Sequence, residues 1–297
     1  MRPYRAHGTQ RPAPAQQGDR PAAQTSSSTA TSADAPRTAR RNSDEMRIYG
    51  VNACLALFAR RPHDLRKVYL LESRLGDMKA VLAWCVQRKL GYRVVENQDL
   101  DKLTGSQHHE GVCFDVRRKA PVSLSTLLQM IPRTPQPALL LWLDGVGNPH
   151  NVGAVLRSAA NFGVHGVLLS SETVNGLSGA AYRVAEGGAE AVALAQIAPG
   201  EDVLGALRNF DLQVAATVVR EGESLYSSKL PKRTVIVLGA EGPGLKRSLI
   251  DRADIHLTIP GSGAVESLNV AASAAVLLGE YFRQRFVESL PRPAPRR

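Results

Sequence analysis

The sequence predicts an α/β protein whose larger part is built on a parallel sheet. Five near-continuous apolar runs lie between Ala138 and Leu238 and are separated by helical stretches, a pattern typical of parallel strands covered on both faces. A shorter mixture of strand and helix patterns precedes them, which indicates a second, small α/β domain. The chain has 297 residues, 43% of them apolar, so two cores of ordinary size are expected without disulfide or metal support.

The two ends of the chain have the composition of basic tails, and the first of them is expected to be disordered. Residues 1–45 carry seven arginines against four acidic residues and few large apolar side chains, so they cannot bury enough surface to offset the entropy of ordering. Residues 287–297 predict a basic C-terminal tail. Two interpretations of the first tail stay open: an arm that attracts RNA, and a solvated extension without function.

Residues 46–118 predict the small α/β domain. Its first helix carries Val51, Leu55 and Phe58 on one face, and Asn97 is the expected N-cap of a later short helix. The remaining elements are expected as strands at 66–71, 92–95 and 111–116 and a helix at 77–89. Residues 119–137 contain four prolines around a short apolar segment, which predicts a linker.

Residues 138–286 predict the larger domain. A strand is expected to end just before Pro260, and an alanine-rich helix to run from Ser267, as its N-cap, to Phe286. The other expected strands are 138–143, 166–170, 191–196, 213–217 and 234–238.

Charge is distributed unevenly between these parts. The formal net charge is +10 and the pI is about 9.8, yet residues 138–282 have 10 basic and 14 acidic side chains. The small domain has 13 basic and 8 acidic side chains. The positive charge therefore lies on the small domain, the linker and the tails, which predicts a polyanionic partner at those parts.

Composition also indicates the compartment. Cys54, Cys85 and Cys113 are far apart and form no CxxC pair, which is typical of reduced thiols. The sequence has no apolar run of about 18 residues and no signal-peptide pattern. We therefore expect a cytoplasmic protein with no membrane span, and neither the cysteines nor His108 and His109 have the spacing of a metal site.

The loop after the first strand of the larger domain carries two candidate site residues. Asn151 is placed as the N-cap of the following helix, and Arg157 lies off its apolar stripe, with Gly153 leaving room for a ligand. A plain cap and a solvated arginine are the simpler interpretations of these two residues. A dinucleotide fingerprint fails because His150 occupies the third glycine position, which argues against a nicotinamide-dependent oxidoreductase.

Two more loops have similar composition. Gly239, Gly242 and Gly244 follow a buried strand directly and surround Glu241, which is either functional or a turn-capping group. The third loop begins at Pro260 and reaches Ser267-Leu-Asn269 before the alanine-rich helix. All three loops follow buried strands, where ligands bind in open α/β sheets.

Together these loops resemble the three motifs of the SpoU/TrmH family in the SPOUT superfamily, which are RNA ribose 2′-O-methyltransferases. The resemblance rests on Asn151-x-Gly153-x-x-x-Arg157, on Leu238 to Gly244, and on Ile259-Pro260-Gly followed by Ser267-Leu-Asn-Val. Residues 46–118 are similar to the family's L30e-like substrate-binding domain through Ile48-Tyr-Gly-Val-Asn52 and His109-Glu-Gly-Val112.

The resemblance implies a SPOUT domain with a C-terminal trefoil knot, S-adenosylmethionine as the methyl donor, a homodimer, and a structured RNA substrate, with rRNA favoured over tRNA. It implies catalytic positions at Asn151, Arg157, Glu241, Ser267 and Asn269. It implies cofactor-binding positions at Leu238, Gly239, Gly244, Ile259, Pro260 and Leu268.

Two questions stay open at this point. The chain is either an active methyltransferase or a catalytically silent RNA-binding or ribosome-assembly factor on the same scaffold. The proton of the ribose hydroxyl leaves either through a phosphate bound by Arg157 or to Glu241, because a guanidinium effectively never loses its proton. Glu110 departs from the family pattern, and we expect its carboxylate near the RNA surface.

Overall fold

The computed structural model of the protein describes residues 44–286, which belong to one compact unit. The tails expected at 1–45 and 287–297 lie outside the described residues, except for Asp44 and Glu45.

The small domain is a four-stranded mixed sheet. Its strand order is β1-β4-β2-β3, in which only the β2–β3 pair is parallel. The strands are β1 (Glu45–Tyr49), β2 (Leu65–Leu70), β3 (Gly91–Val94) and β4 (Val112–Arg117). The helices are α1 (Val51–Arg60), α2 (Lys79–Arg88) and α3 (Asn97–Thr104), with 3₁₀ turns at Pro62–Asp64 and Glu72–Arg74.

Two details of this domain differ from the expectation. Strand β1 was not predicted, although its alternation of apolar and polar residues buries Met46 and Ile48 on one face. Asn97 is the first residue of α3 and not its cap. The cap position is Glu96, whose amide donates to the Asp99 carboxylate at 3.4 Å, so a reciprocal acidic pair closes the helix start.

The larger domain is an eight-stranded sheet in which every pair is parallel. The strands are β5 (Val122–Ser123), β6 (Ala138–Asp144), β7 (Gly166–Leu169), β8 (Ala193–Gln196), β9 (Gln213–Thr217), β10 (Glu223–Ser224), β11 (Arg233–Gly239) and β12 (Ile255–Thr258). Their order is β10-β12-β9-β11-β6-β7-β8-β5. The predicted parallel α/β fold is therefore confirmed. The trefoil knot stays a prediction.

Helices cover both faces of this sheet. They are α4 (Leu124–Met130), α5 (Pro149–Asn161), α6 (Ser171–Asn175), α7 (Gly179–Ala185), α8 (Gly188–Ala191), α9 (Val203–Arg208), α10 (Arg247–Ile250) and α11 (Val270–Phe286). Buried side chains of α5 and α11 pack on one face, and those of α4 and α9 pack on the other. Among residues 44–286, no helix has the length and apolarity needed to cross a membrane.

The segment 119–137, expected as a linker, contains regular structure. Strand β5 pairs with β8 at the edge of the large sheet, and α4 buries Leu124, Leu127 and Leu128 in the core of that sheet. The spacing of these leucines is that of one helical face. The linker prediction is therefore wrong for this segment, since its short apolar stretch is part of the larger domain.

The two sheets share one apolar core. A single cluster of buried residues runs from Ile48 and Phe114 in the small sheet to Leu141 and Val155 in the large domain. The joint also contains a buried ion pair, in which Arg61 lies 2.7 Å from a Glu190 carboxylate oxygen. The Glu190 side chain is only 1% exposed, and burial, with Glu190 nearby, raises the pKa of Tyr182 to about 12.

This ion pair provides a test of the joint between the sheets. Replacing Glu190 by alanine leaves the buried Arg61 guanidinium with only the Asp64 carboxylate, at 3.2 Å, so Glu190→Ala should lower the free energy of unfolding by about 3 kcal/mol. Asp251→Ala is a suitable control because it breaks an exposed Arg247–Asp251 pair, which is worth about 1 kcal/mol or less. Urea unfolding of both variants measures the difference, and equal small effects would contradict a structural role for the pair.

Candidate active site

Strands β6, β11 and β12 end at the same edge of the large sheet. All three run parallel in one sheet, with β9 between β11 and β12, so the loops that follow them lie at the same edge. The three loops are the ones that the sequence singled out. Asn151, Glu241 and Asn269 come from these separate loops, and they meet in one hydrogen-bonded group.

Asn269 is the centre of that group. Its amide nitrogen Nδ2 donates to Glu241 Oε1 at 2.7 Å and to Asn151 Oδ1 at 3.1 Å. Its Oδ1 accepts from the backbone amide of Ala271 at 2.9 Å, which is the geometry of a helix N-cap at the start of α11. One side chain thus joins the first turns of α5 and α11 to the glycine-rich loop after β11.

A cleft of about 440 Å³ opens beside this group. Its volume is within the range of small-molecule sites. Glu241, Ser267 and Asn269 line it, and so do five of the six residues predicted to bind the cofactor: Leu238, Gly239, Gly244, Ile259 and Leu268. Pro260, the sixth, is not among the lining residues.

The loop after β11 is folded back tightly on itself. The Gly244 amide donates to Ala240 O at 3.0 Å, and a Cβ added at Gly239 would lie 2.5 Å from the Gly244 carbonyl carbon. Any side chain at position 239 would therefore displace the backbone that forms one wall of the cleft.

Arg157 lies apart from the Asn269 group. Its guanidinium Nη1 is 3.8 Å from Glu186 Oε1, and its side chain is 62% exposed. It does not line the cleft, and neither does Asn151. The structure therefore joins three of the five candidate catalytic residues, Asn151, Glu241 and Asn269, by hydrogen bonds. Ser267 lines the cleft beside them. Arg157 lies outside the cleft, where its exposed guanidinium is accessible to a large ligand.

Three local expectations are wrong. Asn148 caps α5 by accepting from the His150 amide at 2.9 Å, so Asn151 lies within the first turn and its side chain is available to Asn269. Ser267 precedes α11 by three residues, and Asn269 takes the cap position. Gly153 does not make room for a ligand, because an added Cβ would lie 2.5 Å from Ala181 O of α7.

Glu110 is also placed differently from the expectation. Its carboxylate accepts from the Val51 amide at the start of α1 at 3.0 Å and lies 3.3 Å from Arg183 of α7. The carboxylate therefore belongs to the joint between the small and the large sheet.

Some residues of the site were not predicted. Thr217, Val218 and Val219 line the cleft because β9 also ends at this edge, a position that the strand pattern already indicated. Asp144 ends β6 at the same edge, and burial raises the pKa of its carboxyl, with Glu172 adding to the shift and Lys246 opposing it. No group of three His, Cys, Asp or Glu side chains able to hold a metal lies within the described part of the chain.

Comparison with known proteins identifies the family of both domains. Residues 138–279 match the SpoU rRNA Methylase family, and residues 47–122 match the family described as RNA 2′-O ribose methyltransferase substrate binding. The chain belongs to the SpoU rRNA methylase family. The SpoU domain thus includes the Asn269 group and the cleft. The substrate-binding match includes β2, β3 and β4 and all of β1 except its first two residues.

Several relatives share both domains of this SpoU protein. The 23S rRNA (guanosine-2'-O-)-methyltransferase RlmB of Nitrosomonas europaea is 34% identical over 84% of the chain and 96% of its own length. The RlmB of Escherichia coli K12 is 33% identical over 80% of the chain and 98% of its own length. The protein described as "Uncharacterized tRNA/rRNA methyltransferase YfiF" of Escherichia coli O157:H7 is 36% identical over 82% of the chain and 70% of its own length.

Solved structures show the same fold as this SpoU protein. AviRb of Streptomyces viridochromogenes, solved with the cofactor AdoMet, has a TM-score of 0.67 at 20% identity, over 82% of the chain and 91% of its own. An AdoMet-bound rRNA methyltransferase of Sinorhizobium meliloti has a TM-score of 0.68 at 24% identity, over 82% and 88% of the two chains.

The Asn269 group provides a structural test in the SpoU domain. Asn269→Ala removes the cap of α11 and both side-chain contacts, and it should lower the free energy of unfolding by about 1 kcal/mol. Asn269→Ser keeps a capping oxygen but cannot reach Glu241, so it should recover most of this stability. Thermal unfolding measures the pair of variants, and an equal loss in both would show that the cap is not the stabilising contact.

Proposed function

We propose that the protein transfers a methyl group from S-adenosylmethionine to a ribose 2′-hydroxyl of structured RNA, and that the RNA is ribosomal. The observation that carries this proposal is the Asn269 group at the mouth of the cleft. A carboxylate and two amides from three different loops converge there, as the machinery for activating a hydroxyl requires. The RlmB relatives, named for 23S rRNA, support the choice of rRNA.

The cleft suits S-adenosylmethionine. Leu245, Leu257 and Val270 supply apolar surface for a nucleoside. Glu241 and Glu266 are the only charged residues among the described lining residues, and both are acidic. Negative charge favours a cationic sulfonium and disfavours the phosphates of a dinucleotide, which argues again against a nicotinamide cofactor. When bound, S-adenosylmethionine supplies the electrophilic methyl group.

The protein's own residues must bind the ribose and provide a route for its proton. A 2′-hydroxyl is a weak nucleophile, so its proton has to leave as the new C–O bond forms. Arg157 is exposed and permanently charged, so it can bind the phosphate next to the ribose and stabilise charge on the developing alkoxide. Glu241 is the carboxylate of the Asn269 group and can receive the proton, and the hydrogen bond from Asn269 fixes its orientation.

The two routes for the proton differ in what they require of Glu241. If Glu241 is the base, Glu241→Gln should remove activity almost entirely, because an amide cannot accept the proton. If a phosphate bound by Arg157 takes the proton, the same variant should retain measurable turnover. Single-turnover assays over a range of pH distinguish the two routes.

We also propose a cytoplasmic homodimer. A ribosomal RNA substrate requires access to the cytoplasm.

Val219 and Leu268 line the cleft with large exposed side chains, and the exposed Val265 comes just before the lining residue Glu266. Exposed apolar side chains of this kind are expected to be covered by a partner. Light scattering of the purified protein tests the dimer.

Arg157→Ala should lower methyl transfer at least about a hundredfold and leave S-adenosylmethionine affinity unchanged, since Arg157 does not line the cleft. Arg208→Ala is the matched control, because Arg208 pairs with Asp254 at the opposite edge of the sheet. Radiolabelled methyl transfer measures the rate and calorimetry the affinity. Near wild-type transfer by Arg157→Ala would refute its catalytic role, and no cofactor heat in the wild type would indicate a silent scaffold.

Gly239→Ala should weaken S-adenosylmethionine binding at least about tenfold, because the added methyl group displaces the Gly244 backbone. Gly279→Ala in α11 is the control, since its added Cβ would meet only the Phe162 ring, at 3.6 Å. Calorimetric titration measures both variants. Unchanged affinity in Gly239→Ala would place the cofactor elsewhere.

The RNA target is identified by comparing 2′-O-methyl positions in RNA from a deletion strain and its parent. We expect one or a few positions in large-subunit rRNA to lose methylation. Loss confined to tRNA would overturn the choice of rRNA and keep the reaction.

A further inference from the structure

The turn between α7 and α8 lies between the small domain and the catalytic-site helix α5. A Cβ added at Gly187 would lie 2.8 Å from Ala56 Cβ of α1. A Cβ added at Gly188 would lie 2.6 Å from Leu156 O and 2.9 Å from Arg157 Cα. The turn therefore contacts α1 on one side and the backbone at Arg157 on the other, with no room for side chains.

Glu186 begins this turn and contacts both neighbours. Its backbone has a left-handed φ of 51°, uncommon for a residue with a side chain. One carboxylate oxygen accepts from Asn52 Nδ2 of α1 at 2.6 Å, and the other lies 3.8 Å from the Arg157 guanidinium. Glu186 thus connects a residue of the substrate-binding domain to the candidate catalytic arginine.

A second contact holds the same pieces together. Glu110 accepts from the Val51 amide, next to Asn52, and pairs with Arg183, one turn before Glu186. The start of α1 is therefore attached twice to the end of α7. Because Asn52 of the small domain donates to it, the Glu186 carboxylate has less freedom than an unpaired side chain at the surface.

We propose that Glu186 is a positioning residue for Arg157, and that Asn52 of the substrate-binding domain holds Glu186 in place. This inference rests on the proposed function. A long arginine side chain that is mostly exposed samples many rotamers, and ordering it in the transition state has an entropic cost. A fixed carboxylate keeps the arginine oriented while RNA is bound, so less of that cost is added on the way to the transition state. The pair is too exposed to contribute much to folding stability, so its effect is expected in turnover.

Glu186→Gln keeps the size and the hydrogen-bonding capacity of the side chain but removes its charge. We expect kcat to fall about three- to tenfold. The KM for RNA should not rise, because Glu186→Gln removes a negative charge beside Arg157 and so removes a repulsion of the RNA phosphate. The S-adenosylmethionine affinity and the melting temperature should stay at wild-type values.

Asp211→Asn is the matched control. Asp211 also has a left-handed φ, of 55°, and its carboxylate also accepts a side-chain hydrogen bond, from Thr134 at 2.7 Å. It precedes β9, at the edge of the sheet opposite the cleft. We expect wild-type kcat and KM for this variant.

A double-mutant cycle tests the role of Asn52. Asn52→Ala should lower kcat in the wild-type background and have little further effect in Glu186→Gln, because both act through one contact. The proposal would be overturned if the losses of kcat in the two variants were additive, or if they followed a fall in melting temperature. It would also be overturned if Glu186→Gln kept the wild-type kcat while Arg157→Ala was inactive. If Arg157→Ala itself remains active, the failure belongs to the proposed function, since Arg157 then needs no positioning.

Discussion

The parallel direction of β6, β11 and β12 is the constraint on which the site depends. Strands that run parallel in one sheet end at the same edge, so loops that are about 120 residues apart in the chain lie side by side. Asn269 then fixes their relative positions with a single amide group that contacts two side chains and one backbone amide. Each loop supplies only one amide or carboxylate group to the site. These hydrogen bonds hold the three groups at contact distance, so that they can act on one ligand.

The joint between the two sheets is the second determinant of the arrangement. Apolar packing is continuous across it, and Arg61 forms a bidentate contact with the buried Glu190 carboxylate. Contacts of this kind are expensive to break, because each partner would be left buried and charged. They hold the small domain directly on α7 and α8, and the turn between these two helices lies against the backbone of Arg157.

The sequence was sufficient to predict the parallel sheet, including the bounds of β9, and the three loops of the site. The sequence was insufficient to predict where a helix begins when two nearby side chains are both able to cap it. Asn148 and Asn151 are both good caps, and only the Pro149 that follows Asn148 signals which one is used. The linker was predicted from the four prolines of residues 119–137. The spacing of Leu124, Leu127 and Leu128 was the better signal, because it is that of a buried helical face. The pairing of Arg157 with Glu186 depends on a turn 29 residues later in the chain, and no local pattern reports such a contact.

The buried Arg61–Glu190 pair also limits how far the two sheets can move apart, because separating them would leave both charges buried without a partner. The small domain and the cleft therefore keep a set spacing. For the proposed RNA substrate, a set spacing favours recognition by overall shape, with few contacts to individual bases.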